Sequence, residues 1–120
     1  MRKNRKNQKA IELELTNFIS SFMKEKVGRG PRDVNIKMVD NTIVIFIIGI
    51  LSPLEKNLLD SSEGEKIILE GRKLYLKLSN QHRIASFERI VEAKVIDHYE
   101  ALNLKSDTAV ALLVFDEKIV

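Results

Sequence analysis

The residues with the clearest capacity to bind another molecule are the glycines and arginines at positions 28–32. Gly28 and Gly30 can expose backbone N–H groups, while Arg29 and Arg32 carry forked guanidinium donors. Together these groups could dock an anionic ligand or the acidic surface of a partner protein. The candidate partner- or anion-binding residues are therefore Lys26, Gly28, Arg29, Gly30 and Arg32.

A structural role explains part of the same segment. Gly28 follows the last apolar position of a predicted helix and suits the left-handed conformation that often ends a helix. Pro31 pushes Gly30 toward an extended conformation. A tight helix-to-strand connection thus accounts for the two glycines and the proline, but it does not account for the arginines.

Elsewhere the residue types that carry catalysis or bind metals form no recognisable pattern. The chain has no Cys, and His82 and His98 lie on different predicted elements without carboxylates at metal-ligand spacing. Ser52 lacks the glycines of a nucleophile elbow. Arg72 falls among Glu and Lys residues of a predicted helix, which indicates a solvated charged face. We therefore expect no catalytic residue, no metal and no cofactor, and predict that the protein is not an enzyme.

The composition indicates one soluble domain with a basic end. The chain has 120 residues, of which 44% are hydrophobic and 31% charged, so neither a disulfide scaffold nor a disordered chain is expected. Residues 1–9 carry five of the 20 Lys and Arg residues, leaving 15 basic against 17 acidic groups in the rest. We predict a flexible basic arm over 1–9 and a domain over 10–120. The arm runs into the chain without an apolar signal-peptide region, so the expected location is the cytoplasm.

The elements that position the candidate loop are a helix and a β-hairpin. Apolar residues recur at three- and four-residue steps from about Gln8 to Val27, which predicts a helix with one buried face. Positions 34–39 alternate and predict a strand, Asp40-Asn41 a two-residue turn, and Thr42–Leu51 a second strand. The nine apolar or glycine positions 43–51 are too few for a membrane-spanning helix, which needs about 20.

Helices are predicted in the middle of the chain. Ser52, Pro53 and Glu55 have the spacing of a capping box that begins a short helix. Ser62 and Glu65 repeat that spacing and predict a longer helix from about Glu63 to Gln81, then a bend over 80–83 and a further helical stretch to position 91. The predicted apolar stripe of the longer helix is Ile67, Gly71, Leu74 and Leu78, with Ile68 and Tyr75 beside them. We expect Gly71 to pack closely against a neighbour.

Two more strands, Lys94–Leu104 and Thr108–Asp116, complete the pattern helix–β-hairpin–helices–β-hairpin. This order predicts an α+β fold in which a four-stranded antiparallel sheet has helices packed on one face. Because residues on both faces of the strands at 42–51 and 108–116 are apolar, we expect a second copy to cover the open face as a homodimer.

Several turn and cap motifs follow one another along the chain: GRGP at 28–31, GILSPLEK at 49–56, EG at 63–64 and VIDH at 95–98, before a strand that ends VFD at 114–116. Over roughly residues 9–117 this order resembles the MpsC-like family, a group of small bacterial proteins of unknown function.

The resemblance implies a link to a bacterial sodium-dependent system that generates membrane potential, whose other components are similar to inorganic-carbon uptake machinery. It implies no catalytic residues. The chain would then be an accessory or regulatory subunit that docks on a membrane complex from the cytoplasmic side. Arg29 and Arg32 would be its contact residues, and the basic arm would assist at the membrane surface.

A nucleic-acid-binding module is the alternative, because the arm and the glycine-arginine loop are basic. It is disfavoured because Tyr75, Tyr99 and most of the five Phe residues fall in apolar stripes, which leaves few aromatic rings for base stacking.

Overall fold

Two long helices lie on one face of a four-stranded antiparallel sheet, and a short helix packs on one of them. The computed structural model describes residues 6–120. In chain order the elements are α1 (Gln8–Lys26), β1 (Asp33–Val39), β2 (Thr42–Ile48), α2 (Pro53–Leu58), α3 (Ser62–Val91), β3 (Val95–Asn103) and β4 (Thr108–Phe115). The predicted α+β class and element order are confirmed. Of the predicted basic arm, residues 1–5 lie outside the described residues.

The sheet is built from two hairpins joined through their second strands. Its strand order is β1-β2-β4-β3, so β2 and β4 are central. The β1–β2 turn is the predicted one: Val39 pairs with Thr42, and Asp40 adopts a left-handed φ of 54°. Ile45 of β2 pairs with Ala111 of β4, which joins the two halves of the chain into one sheet.

The core lies between the helices and the inner face of the two central strands. α1 contributes Ile11 and Leu15, and the strands contribute their alternate residues. Each such side chain contributes about 1.5–3 kcal/mol when fully buried. The largest fully buried side chains are Phe115, Ile11, Leu15, Ile43, Ile45, Leu113 and Val91.

The predicted capping box at the start of α2 is confirmed. The Ser52 hydroxyl accepts a hydrogen bond from the Glu55 N–H, and the Glu55 carboxylate accepts one from the Ser52 N–H at 2.9 Å. At the start of α3 the prediction is wrong by one residue. The cap is Ser61, whose hydroxyl accepts from the Gly64 N–H at 2.9 Å.

The predicted bend over residues 80–83 is wrong, because α3 is continuous from Ser62 to Val91 and about 45 Å long. The polar run there does not break the helix, since its side chains bond to the helix itself. Ser79 donates to the Tyr75 carbonyl, and Arg83 donates to the Leu76 carbonyl and to the Ser79 hydroxyl.

β2 ends at Ile48, three residues before the predicted end at Leu51. Gly49 has a φ of +83°, which turns the chain out of the strand. The Ile50 and Leu51 N–H groups then both donate to one carboxylate oxygen of Asp107, each at 2.8 Å. Asp107 thus satisfies backbone donors that the strand would otherwise have paired.

Candidate partner-binding surface

The glycine-arginine loop connects α1 to β1 and is positioned by backbone contacts. Gly28 has a φ of +98° and donates its N–H to the Met23 carbonyl at 3.2 Å, so it ends α1 as expected. That N–H is therefore not available to a ligand. At the other end of the loop, Arg32 donates its backbone N–H to the Ile48 carbonyl at 2.7 Å.

The loop lies against the end of β2. A Cβ atom built on Gly49 would lie 2.9 Å from both the Cβ and the backbone nitrogen of Arg32, so only glycine permits this approach. Arg29 and Arg32 are both exposed, and neither guanidinium makes a hydrogen bond or ion pair with any residue in 6–120. The loop thus presents two unpaired cations on a fixed backbone.

Lys26, another predicted contact residue, lies away from the two arginines. Its ammonium is 3.5 Å from the Glu25 carboxylate, and its side chain lines a groove beside α3 together with Phe22 and Tyr75. Burial raises the pKa of the Tyr75 hydroxyl, which keeps the phenol neutral. The predicted site therefore divides into an arginine pair in the loop and a lysine at the edge of a groove.

Four positions of the predicted apolar stripe of α3 do not pack against the rest of the chain: Ile67, Leu74 and Leu78 are 53%, 55% and 76% exposed, and a Cβ atom on Gly71 would meet nothing within 4 Å. We call these four residues the α3 strip. The row that faces the body instead contains Ile68 and two buried arginines, Arg72 and Arg83. The buried row of α3 therefore carries charged residues and the exposed row carries apolar ones. This is the opposite of the pattern by which an amphipathic surface helix is normally recognised.

Arg72 is not on a solvated face, as predicted, but joins α3 to α2. It donates from Nε and Nη2 to the two carboxylate oxygens of Glu55, both at 2.8 Å, and also to the Ile50 carbonyl. Burial acts to raise the pKa of Glu55, but hydrogen bonds from Arg72 and Ser52 and the Arg72 charge outweigh it and hold that pKa below its ordinary value. The pair is thus charged and fully bonded.

Arg83 joins α3 to β3 in the same way. Its Nη1 and Nη2 atoms donate to the Glu100 carboxylate at 2.5 and 3.2 Å, and that carboxylate also contacts His98 Nε2 at 3.1 Å. Both arginines border a mainly apolar, partly open cavity of about 80 Å³ between α1, α3 and the sheet. Because carboxylates and carbonyls occupy their donors, these guanidiniums hold the fold together and offer little to a ligand.

The outer face of the sheet, which the helices leave open, is apolar at its centre. Val44, Phe46, Val110 and Leu112 of the two central strands point to this face, with Tyr99 beside them on β3. Phe46 and Tyr99 are 48% and 60% exposed. These two rings are therefore open to solvent in the single chain, although the sequence pattern placed Tyr99 and most Phe residues in apolar stripes. The charged residues on this face are Asp33, Lys37 and Asp97, all on the edge strands.

The histidines do not converge on a metal-type site. His82 stacks on Phe22 with ring centroids 5.6 Å apart, while His98 lies on β3 beside Glu100. In the chain from residue 6 onward, no three His, Asp or Glu side chains are grouped to hold a metal ion. In the same part of the chain, no helix is both long and apolar enough to cross a bilayer.

A family profile described as "Na+-translocating membrane potential-generating system (MpsC)" matches residues 7–117. This chain belongs to the MpsC family. The uncharacterized protein YrhF of Bacillus subtilis (strain 168) is 27% identical to it over 107 residues, which is 88% of each chain. No solved structure gives a significant match.

The MpsC match begins at Asn7, the cap of α1, and ends two residues after β4, so it includes the arginine loop, the α3 strip and the sheet's outer face. Of these surfaces, sequence reasoning found the loop and expected the open sheet face. It missed the α3 strip as a surface, although its 4-3-4 spacing was visible. It also missed the Arg72–Glu55 and Arg83–Glu100 pairs, for which the sequence has no distinguishing pattern.

Proposed function

We propose that this MpsC protein is a non-enzymatic accessory or regulatory subunit of a bacterial membrane system that transports sodium or inorganic carbon. The observation that carries the proposal is the family match over residues 7–117, whose description names a sodium-translocating system that generates membrane potential. The subunit acts in the cytoplasm and reaches the membrane by docking on a membrane protein complex.

The arginine loop is the docking contact in this proposal. Arg29 and Arg32 are exposed and make no ion pair within residues 6–120, so their donors are free for an acidic surface. The close approach of Arg32 to Gly49 fixes one of the two arginines on the end of the sheet. A guanidinium held on a fixed backbone loses less entropy when it binds a carboxylate.

A homodimer formed through the sheet's outer face is the second part of the proposal. The face resembles a protein–protein interface, because its centre is apolar and its charged residues lie at the rim. Among its outward-pointing residues Lys37 is the single cation, against Asp33 and Asp97. That charge suits a second sheet better than it suits nucleic-acid phosphates.

Recovery of membranes by the tagged protein tests the docking contact. The Arg29→Ala/Arg32→Ala chain should retain much less membrane complex than the unchanged chain. The matched control is Lys94→Ala/Lys118→Ala, which removes two exposed cations at the opposite end of the sheet and should retain as much as the unchanged chain. Equal recovery by all three chains would remove the loop from the proposal.

Nucleic-acid binding is the alternative function, and the unpaired arginines of the loop are the observation that favours it. It would give an affinity that falls steeply as salt rises, because phosphate contacts release counterions. Filter binding of RNA and DNA at low salt distinguishes the two functions. The accessory-subunit proposal expects no such binding by the folded chain.

A further inference from the structure

We propose that the α3 strip pairs in antiparallel orientation with the α3 strip of a second copy of this chain. The strip lies on the helical layer, whereas the sheet's outer face lies on the opposite side of the molecule. A copy bound at the strip therefore does not compete with a copy bound at the sheet. The inference goes beyond the proposed function and does not depend on it.

The strip has the residue spacing of a helix-pairing surface. Its members, Ile67, Gly71, Leu74 and Leu78, follow one another at steps of four, three and four, which is the spacing of alternating d and a positions in a heptad. They occupy about three turns of α3. Three large apolar side chains, each more than half exposed on this line, are what a paired helix would cover.

Gly71 fits a paired helix and is costly without one. Glycine inside a helix destabilises it by comparison with alanine, and no atom of the same chain comes near enough to require glycine at position 71. A missing side chain lets a second helix approach closely, so the position has a use if Leu74 of a second copy lies over it.

The residues of the α3 strip are complementary to those of a second strip that runs in the opposite direction. Antiparallel pairing about a point between positions 71 and 74 places Gly71 opposite the partner's Leu74, and Ile67 opposite the partner's Leu78. The Gly71 of each copy then lies opposite a large leucine side chain. A two-fold interface of this kind uses the same patch on both copies.

Charge also favours the antiparallel arrangement. Glu70 and Lys77 border the strip on the side away from α1, are both exposed, and make no ion pair within residues 6–120. In the antiparallel register each Glu70 lies beside the partner's Lys77, which gives two opposite-charge pairs per interface. In a parallel register Glu70 would lie beside the partner's Tyr75 and far from both Glu70 and Lys77 of that copy, so neither opposite-charge pair could form.

The surroundings of the strip offer a place for the most exposed leucine. Leu54 and Leu58 of α2 are exposed and line a groove together with Ile67 and Gly71. Since the partner's Leu78 lies opposite Ile67 in this register, it enters that groove. The groove thus widens the apolar contact at both ends of the two-fold interface.

Charge reversal tests the pairing, with dimerisation measured by sedimentation. The experiment uses the full chain carrying Phe46→Glu, which blocks self-association through the sheet. Glu70→Lys alone and Lys77→Glu alone should each weaken dimerisation about tenfold, because each creates two like-charge pairs. The double variant Glu70→Lys/Lys77→Glu should recover it. So should an equimolar mixture of the two single variants, which restores both opposite-charge pairs.

Crosslinking checks the register independently. The chain has no native Cys, and positions 70 and 77 are about 10.5 Å apart along one helix, too far for a disulfide within it. Oxidation to a disulfide should join chains carrying Glu70→Cys/Lys77→Cys efficiently, and chains carrying either cysteine alone much less. Joining by the single variants as efficient as by the double variant, or no joining by the double variant, would contradict the antiparallel register and overturn the proposal.

The remaining outcomes separate this inference from the proposed sheet dimer. If charge reversal changes nothing, or if the Phe46→Glu chain is monomeric throughout, the strip does not pair and the inference is overturned. If the unchanged protein and the Phe46→Glu chain are both dimers, the sheet dimer fails while the strip pairing stands. Binding of the monomer to anionic phospholipid vesicles that is lost in Leu74→Glu would assign the strip to a membrane surface and overturn the inference.

Discussion

Asp107 is the residue on which the connection between β2 and α2 depends. One of its carboxylate oxygens accepts from both the Ile50 and Leu51 N–H groups, and its backbone has a φ of 58°. Asp107→Ala would leave two partly buried donors unpaired, so the free energy of unfolding should fall by about 2 kcal/mol. Urea unfolding measures it.

Asp107→Asn is the matched control, because asparagine keeps an acceptor oxygen and tolerates a positive φ. It should lose less than half as much stability as Asp107→Ala. An equal loss in the two variants would show that the paired hydrogen bonds are not what holds this turn.

Glu55 makes the stability of the fold sensitive to acid. Because its pKa is lower in the folded chain than its ordinary value of 4.5, the unfolded chain binds the proton more readily. The stability that this carboxylate contributes is therefore complete above that ordinary value and is lost as pH falls through the folded pKa. Urea unfolding at several pH values should show a flatter decline below about pH 4.5 for Glu55→Gln than for the unchanged chain. Parallel curves would contradict this assignment.

At the scale of the element, two glycines of α3 differ in their surroundings. A Cβ atom on Gly64 would overlap the backbone carbonyl oxygen of Leu58, whereas one on Gly71 would meet nothing within 4 Å. Gly64→Ala should therefore lower the melting temperature strongly. Gly71→Ala should raise the free energy of unfolding by about 1 kcal/mol through helix propensity.

Both variants are compared in the Leu78→Glu chain, so that pairing of strips does not contribute. A loss of stability in Gly71→Ala there would show that position 71 is packed within its own chain, as the sequence pattern first suggested.

Elements could be predicted from sequence where the apolar residues are the ones that the fold buries and where the turn or cap residues have their usual role. α1 has an apolar row that is buried and a glycine that ends it, and the β1–β2 turn has Asp40, which tolerates positive φ. The orientation of α3 could not be predicted, because Arg72 and Arg83 are buried through their carboxylate partners while Leu74 and Leu78 are open. Partners 17 residues away along the chain leave no periodic signal.

The candidate site was predictable to a similar extent. A run of glycine and arginine marks the loop, and the structure leaves both guanidiniums exposed. The use of the Gly28 N–H by the helix cap and the position of Lys26 beside α3 depend on packing, which residue types alone do not encode.

At the scale of the whole molecule, the proposed homodimer depends on contact between the outer faces of two sheets. Phe46→Glu places a charge at its apolar centre and should abolish dimerisation through the sheet, with the melting temperature of the monomer little changed because Phe46 is half exposed. Sedimentation of this chain, in the Leu78→Glu background that blocks the strip, should show a monomer. The matched control Lys37→Glu in the same background changes the rim and should remain a dimer.

Photo-crosslinking in living cells tests the accessory-subunit proposal most directly. A photoreactive residue in place of Arg29 should become attached to an integral membrane subunit of an ion or inorganic-carbon transport system, and one in place of Lys118, at the other end of the sheet, should not. Attachment from position 29 to nucleic acid or to soluble proteins alone, with no membrane subunit recovered, would contradict the account.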